Sequence, residues 1–158
     1  MPTSITPDLT PEHVIIAIPE SRVPALSIQE TLAATAYRHI NSARTHRLQG
    51  IDAQTSRSIS TGTFTYDSKL FSLSIAAQFN TLVMYTRRND VNFTYPVIRS
   101  TNDSLSSVTL ADADAVEAFY VASEAEVRAL LDEGNTLKAT VSALSTLQEI
   151  IDFVDPRI

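Results

Sequence analysis

Few side chains in this sequence have the types and spacing that catalysis or metal binding requires. His39 and His46 lie two helical turns apart, about 10 Å along a helix axis, which is too far to share one metal ion. Asp112 and Asp114 are two positions apart, so they point to different sides of a helix and form no carboxylate pair. The chain has no cysteine, and its three glycines are isolated, which excludes a thiolate site and a glycine-rich phosphate loop. We therefore predict no catalytic residue, no metal site and no cofactor.

The charge of the chain bears on its partners. The net charge is −6, and residues 101–158 carry eleven acidic and three basic side chains. Phosphate binding needs clustered Lys and Arg, so this distribution argues against nucleic acid as the main partner. The longest apolar run, Val14 to Ile18, is far shorter than the roughly 20 residues that a membrane helix requires. We predict neither a nucleic-acid partner nor a membrane partner.

Residues 62–79 are the centre around which the other elements are arranged. Aromatic residues alternate with threonines over 63–66, and apolar residues resume at Leu70, which predicts a β-hairpin. The apolar period then becomes helical, at Ile75, Phe79, Leu82 and Val83. Because a two-stranded hairpin is marginal in water unless its apolar face is covered, we expect the neighbouring helices to cover it.

Two segments precede this hairpin. Residues 1–26 contain five prolines and predict an extended arm. Its apolar run is either a strand of the chain's own hairpin or an arm that adds to a neighbouring chain, and we favour the second, with contacts at Val14, Ile15, Ile16 and Ile18. From Ser27, which forms a capping box with Glu30, a helix is predicted to end at Gly50, and a polar connector reaches Thr61.

A second hairpin and a long helical region follow. The strands are predicted over 93–99 and 105–109, around a turn at Asn102 and Asp103. Beyond Thr109 an apolar stripe of coiled-coil type is predicted to bind a partner, at Val116, Tyr120, Val127, Leu130, Leu137, Val141 and Leu144. The region is either one helix or two helices divided at Gly134. Ser145, with Gln148 after it, is expected to cap a short final helix.

These elements predict an α+β fold, in which small β-hairpins pack against amphipathic helices. A long C-terminal helical region and an extended N-terminal arm complete it. We divide the chain into an arm over residues 1–26 and a single α+β domain over residues 27–158.

The order of the motifs resembles an uncharacterised domain of tailed bacteriophages that occurs in tail and tail-fibre assembly proteins. The resemblance covers about residues 35–153. It is carried by the hairpin, the start of the long helix and the C-terminal end, at Phe64, Tyr66, Asp67, Phe71, Thr109, Leu110, Leu137, Lys138 and Leu147. Ser68 stands where such domains usually have a glycine, and Tyr95 or Val97 stands where they often have a tryptophan. The family has no established catalytic residues.

The resemblance implies a non-enzymatic tail protein that binds the tail fibre, either as a fibre-associated structural or adaptor component or as an assembly chaperone. The expected partner is the tail-fibre protein or another tail component, in a homo- or hetero-oligomer. The expected location is the virion tail, or the host cytoplasm during assembly. The arm and the stripe would make the contacts.

Three alternatives stay open at this point. One is a small baseplate or other structural protein of the virion. A second is a polysaccharide-degrading enzyme, which would need an acid and a base in a cleft and would be tested at Asp67 or Asp103. A third is a DNA-binding regulator, for which only the helix from Arg38 to Arg47 offers a basic face.

Overall fold

The computed structural model describes residues 28–158. The predicted arm, with its contacts at Val14, Ile15, Ile16 and Ile18, lies outside the described residues, as does the predicted cap at Ser27. The described chain has four helices and two antiparallel hairpins, which confirms the α+β class. In chain order these elements are α1 Ile28–Thr61, β1 Thr63–Tyr66, β2 Lys69–Ser72, α2 Ile75–Arg87, β3 Val97–Ser100, β4 Ser107–Leu110, α3 Ala113–Ala143 and α4 Leu147–Asp152.

The first hairpin consists of the antiparallel strands β1 and β2, joined by a two-residue turn. Phe64 pairs with Phe71 across the ladder, and Leu73 donates its N–H to the Gly62 carbonyl at 2.9 Å. Asp67 and Ser68 both have positive φ, which is the conformation that the tightest hairpin turns require. Aspartate tolerates this region, and Ser68 adopts it where a glycine would do so at lower cost.

The second hairpin is shorter than predicted. β3 begins at Val97, after Pro96, because proline has no N–H to donate to a ladder. Thr101 closes the turn, since its N–H donates to the Ser106 carbonyl at 2.9 Å. The two hairpins touch where the Asn102 N–H donates to the Leu70 carbonyl at 2.8 Å.

The main core forms where α3 crosses the first hairpin. Phe119 is 1% exposed, and its ring lies 5.0 Å from those of Phe64 and Phe71, in edge-to-face geometry. Such aromatic pairs contribute about 0.5–1.5 kcal/mol beyond their buried area. Leu73 and Leu110 are completely buried beside them. The aromatic hairpin and α3 therefore cover each other, as a two-stranded ribbon requires.

The predicted end of α1 at Gly50 is wrong, because one helix runs from Ile28 to Thr61 and includes the predicted polar connector. Gly50 lies in this helix in an open environment, with no atom within 4 Å of the position of an added Cβ. Beyond it, Ile51 and Thr55 are buried against α3. Tertiary packing of these two residues offsets the low helix propensity of the connector.

The long helix α3 is continuous, so the division predicted as an alternative at Gly134 does not occur. Gly134 is buried where α3 meets α1, and a Cβ there would overlap Thr55 Oγ1 and lie 3.2 Å from its Cγ2. The glycine permits a close approach of two helices. Asp112 caps α3 by accepting the Ala115 N–H at 2.9 Å.

The C-terminal segment is fastened to α1. The cap of α4 is Thr146 with Glu149 in a capping box, one position later than the predicted Ser145 and Gln148. Asp155 is 7% exposed, and its carboxylate accepts from Arg157 Nε at 2.9 Å and Nη2 at 2.6 Å. Arg157 also donates to Thr55 Oγ1 at 2.9 Å. These bonds tie the end of the chain to the contact between α1 and α3.

Candidate interaction surfaces

The apolar stripe of α3, predicted as a surface for a partner, is partly used up by packing within the chain. Val116 is 1% exposed and Val141 is completely buried. Tyr120 stacks on Tyr85 of α2, with ring centroids 4.1 Å apart. The rest of the stripe is half-buried, at Val127, Leu130, Leu137 and Leu144. Of these residues, Val127 and Leu130 pack against the core. The two buried valines have no open face, because α1, α2 and β1 all pack on this helix.

Helix α2 also differs from the prediction, but in the opposite sense, because residues expected to be covered are exposed. Its apolar stripe, expected to cover the hairpin, faces outward, with Ile75 76% exposed and Phe79 64% exposed. Leu82 and Val83 extend the stripe along the same side. An exposed apolar face on a helix is typical of a surface that binds another protein. The described residues thus present an unpartnered face where the sequence predicted core.

The orientation of α2 follows from how it is attached. Leu73 is fully buried directly before the helix, and Ser74 caps the helix by accepting the Ala77 N–H at 3.3 Å. This attachment turns Thr81 and Met84 inward. The Thr81 hydroxyl donates to the Ala77 carbonyl at 2.8 Å, so a polar residue occupies the inner side with its donor satisfied. Ala77, Thr81 and Met84 recur at helical spacing and form this inner side.

The first part of α1 is a second exposed surface. Ile28 is 80% exposed, Leu32 is 64% exposed and Tyr37 is 67% exposed. No residue of α1 before Ile51 is buried among the described residues. Ile28 and Leu32 lie on one side of the helix and Tyr37 lies on the opposite side, so the three residues do not form one stripe.

The groups considered for catalysis are separated or already bonded. His39 and His46 lie along one groove between α1 and α4, which Leu147 and Ile151 also line. Within residues 28–158, no group of three or more His, Asp or Glu side chains is placed to hold a metal ion. Asp67 lies in the β1–β2 turn and is exposed.

Asp103 is engaged by its own turn. Its Oδ1 accepts from Thr101 Oγ1 at 2.6 Å and from the Leu105 N–H at 3.0 Å. These bonds, the Thr101 hydroxyl first, lower the pKa of the Asp103 carboxyl from its usual value. An aspartate whose carboxylate accepts such bonds is typical of a turn. The turn itself, residues 101–106, contains no basic residue that could act with it.

The aromatic and basic residues at the end of α2 pack on one another. Arg88 lies over the Tyr85 ring at 3.9 Å and forms an ion pair with Glu117 of α3 at 3.1 Å. The Tyr95 hydroxyl donates to the Arg88 carbonyl at 2.7 Å. The guanidinium is therefore partnered within the chain, and the cluster fastens the loop before β3 to α2 and α3.

No helix within residues 28–158 is both long enough and apolar enough to cross a bilayer. No protein-family model, no curated protein and no solved structure matches this chain.

Proposed function

We propose that this chain is a non-enzymatic component of a bacteriophage tail that binds the tail-fibre protein. The proposal combines the resemblance stated above with the surface of α2. The residues that carry the resemblance include Phe64, Phe71 and Leu110, which are buried. The fold that they help to pack presents the outward apolar face of α2.

The exposed stripe of α2 is the observation on which the proposal mainly depends. Phe79 lies at its centre, between Ile75 and the pair Leu82 and Val83. Residues 70–86 contain no charged side chain, so the surface they form has no means of steering a charged partner. The partner surface that fits it is apolar, such as the apolar side of a fibre helix laid along α2.

Burial of this stripe would supply a useful part of the binding free energy. Fully burying a large apolar side chain contributes about 1.5–3 kcal/mol, from which the entropy of association must be subtracted. A Phe at the centre of a small patch has the character of a binding hot spot.

Coexpression with the neighbouring fibre gene, followed by size-exclusion chromatography, tests the proposal. We expect the two proteins to elute together at a mass above that of either alone. Separate elution at all concentrations would contradict it, and elution as a homo-oligomer without the fibre would assign the α2 face to a second copy. Mass spectrometry of purified particles then distinguishes a fibre-associated component of the virion from an assembly chaperone, since a chaperone should be absent from the particles.

A further inference from the structure

A small cavity of about 250 Å³ lies between the two hairpins, α2 and α3. Ser72 of β2 and Thr81 of α2 line one side, and Arg99, Ser100 and Asn102 of the second hairpin line the other. Buried phenyl rings, Phe119 among them, form the apolar floor. The cavity has both polar donors and an apolar surface, which is the usual make-up of a ligand site.

Arg99 is the charged residue of this cavity and has no polar partner. Its side chain is half-buried, and its Nε is completely buried without a hydrogen bond. The guanidinium carbon lies 6.0 Å from the centre of the Phe119 ring, which makes a cation–π contact, and no other residue in the range 28–158 pairs with it. Burial lowers the pKa of Arg99 from its usual value, and no neighbouring acid opposes that effect. A buried N–H donor without a partner is costly, and an anion at the guanidinium would supply that partner.

The other arginines of similar burial differ from Arg99 in this respect. Four more are half-buried: Arg44, Arg47, Arg88 and Arg157. Each donates a hydrogen bond to a backbone carbonyl or to a carboxylate. Arg44 has a buried Nε without a partner as well, but its two terminal nitrogens donate to Asn41 and Leu144. Within the described residues, Arg99 alone of the five lacks such a bond.

No acidic residue of the described range, 28–158, lines the cavity. The acid closest to it in sequence, Asp103, uses Oδ1 for Thr101 and Leu105 and lines a neighbouring cavity together with Lys69. An incoming anion would therefore meet one cation and several neutral donors. No hydrogen bond from the Ser100 hydroxyl or the Asn102 amide to another described residue is present, so both can donate to a ligand.

We propose that this cavity binds a small organic carboxylate, which pairs with Arg99. The planar fork of a guanidinium matches the two oxygens of a carboxylate. Its single positive charge balances one negative charge, whereas a phosphate carries close to two at neutral pH. The phenyl floor suits a carbon body attached to the carboxylate, and the Ser100 and Asn102 side chains suit hydroxyl groups on that body.

This ligand site is separate from the exposed stripe of α2. Thr81 lines the cavity from the inner side of the helix, while Phe79 is exposed on the outer side. A ligand at Arg99 and a protein at Phe79 can therefore be bound at the same time and tested independently.

Nuclear magnetic resonance of the full chain tests the site. The probes are acetate, benzoate and glucuronate, with benzyl alcohol and glucose as uncharged counterparts and inorganic phosphate as the competing anion, all at constant ionic strength. We expect saturable shifts of the Arg99 Nε–H signal and of the Ser72, Ser100 and Asn102 amide signals with at least one carboxylate. The uncharged counterparts should give none.

Two variants complete the test. Arg99→Met should weaken carboxylate binding at least tenfold and should fold normally, since it replaces a half-buried charge that has no hydrogen-bond partner by an apolar chain of similar length. Arg99→Lys keeps the charge but loses the fork, so it should bind with intermediate affinity. The proposal is overturned if no carboxylate gives saturable shifts, if Arg99→Met leaves them unchanged, or if phosphate binds more tightly than every carboxylate.

Discussion

Helices α2 and α3 both carry an apolar stripe, and the two stripes have opposite surroundings. On α3, Val116 and Phe119 are each 1% exposed, whereas on α2 Ile75 and Phe79 are 76% and 64% exposed. Periodicity predicts that a helix has an apolar side, but it does not say what that side faces. The side that turns inward is fixed by the residues that connect the helix to the rest of the fold.

Those connections differ between the two helices. Leu110, fully buried, precedes α3 and brings its stripe onto the aromatic hairpin and α1. Leu73, also fully buried, precedes α2 but presents the side that carries Thr81 and Met84. If α3 holds the fold and α2 binds a partner, substitutions on the two stripes should affect different measurements.

The largest loss of stability is expected from Phe119→Ala. Phe119 contacts three aromatic rings of the first hairpin, and truncation of a buried Phe costs about 3–5 kcal/mol. Urea unfolding followed by circular dichroism would measure the change in the free energy of unfolding. A loss below 1 kcal/mol would mean that α3 does not hold the hairpin, and the contrast with α2 would fail.

The next largest loss is expected from Asp155→Asn, at the end of the chain that packs on α1. Removing the charge leaves the Arg157 guanidinium, 9% exposed, without its carboxylate, which costs about 3 kcal/mol at neutral pH. Hydrogen bonds from Arg157 lower the pKa of the Asp155 carboxyl from its usual value.

The pH dependence of stability gives a second measurement at Asp155. The pKa is lower in the folded chain, so the stabilisation is fully present above the unfolded value of about 4 and is lost as the pH falls through the folded value. Asp155→Asn should flatten the acid limb of the stability curve. If the free energy of unfolding fell equally steeply with pH for wild type and variant below pH 4, the ionised Asp155 carboxylate would not be stabilising the fold.

A smaller effect is expected from Gly134→Ala, with Gly50→Ala as its matched control. Both substitutions raise helix propensity by about 1 kcal/mol. At Gly134 overlap with Thr55 outweighs the gain, and we expect a net loss of about 1–2 kcal/mol. At Gly50 the added methyl group meets open space, so thermal unfolding should show a gain of about 0.5–1 kcal/mol. A gain at both positions would show that α1 and α3 are not closely packed there.

The smallest effect on stability is expected from Phe79→Ser. A residue that is 64% exposed contributes little to the folded chain, and surface substitutions of this kind change stability by about 0.5 kcal/mol or less. Chemical unfolding measures it beside Phe119→Ala. A loss as large as that of Phe119→Ala would place the α2 stripe in a core and remove it as a binding surface.

The sequence allowed the local elements to be predicted, and packing decided the rest. The first hairpin and α2 were predicted because alternation, turn residues and helical spacing are local signals. The predicted end of α1 at Gly50 is wrong, because Ile51 and Thr55 contact residues that are distant in the sequence. Thr55 packs against Gly134, and Arg157 donates to the Ile51 carbonyl. Arg99 could not be singled out from the sequence, because its lack of a hydrogen-bond partner is visible only in three dimensions.

The most direct measurement of the central claim is the dissociation constant of the proposed complex with a tail-fibre protein, compared between two matched variants. Phe79→Ser changes the α2 stripe, and Val121→Ser changes an apolar residue of α3 that is 55% exposed and lies outside its buried stripe. We predict at least a tenfold weakening for Phe79→Ser and a change of less than about twofold for Val121→Ser, because a central aromatic residue contributes more than about 1.4 kcal/mol to binding. Equal affinity of Phe79→Ser and wild type would contradict the account.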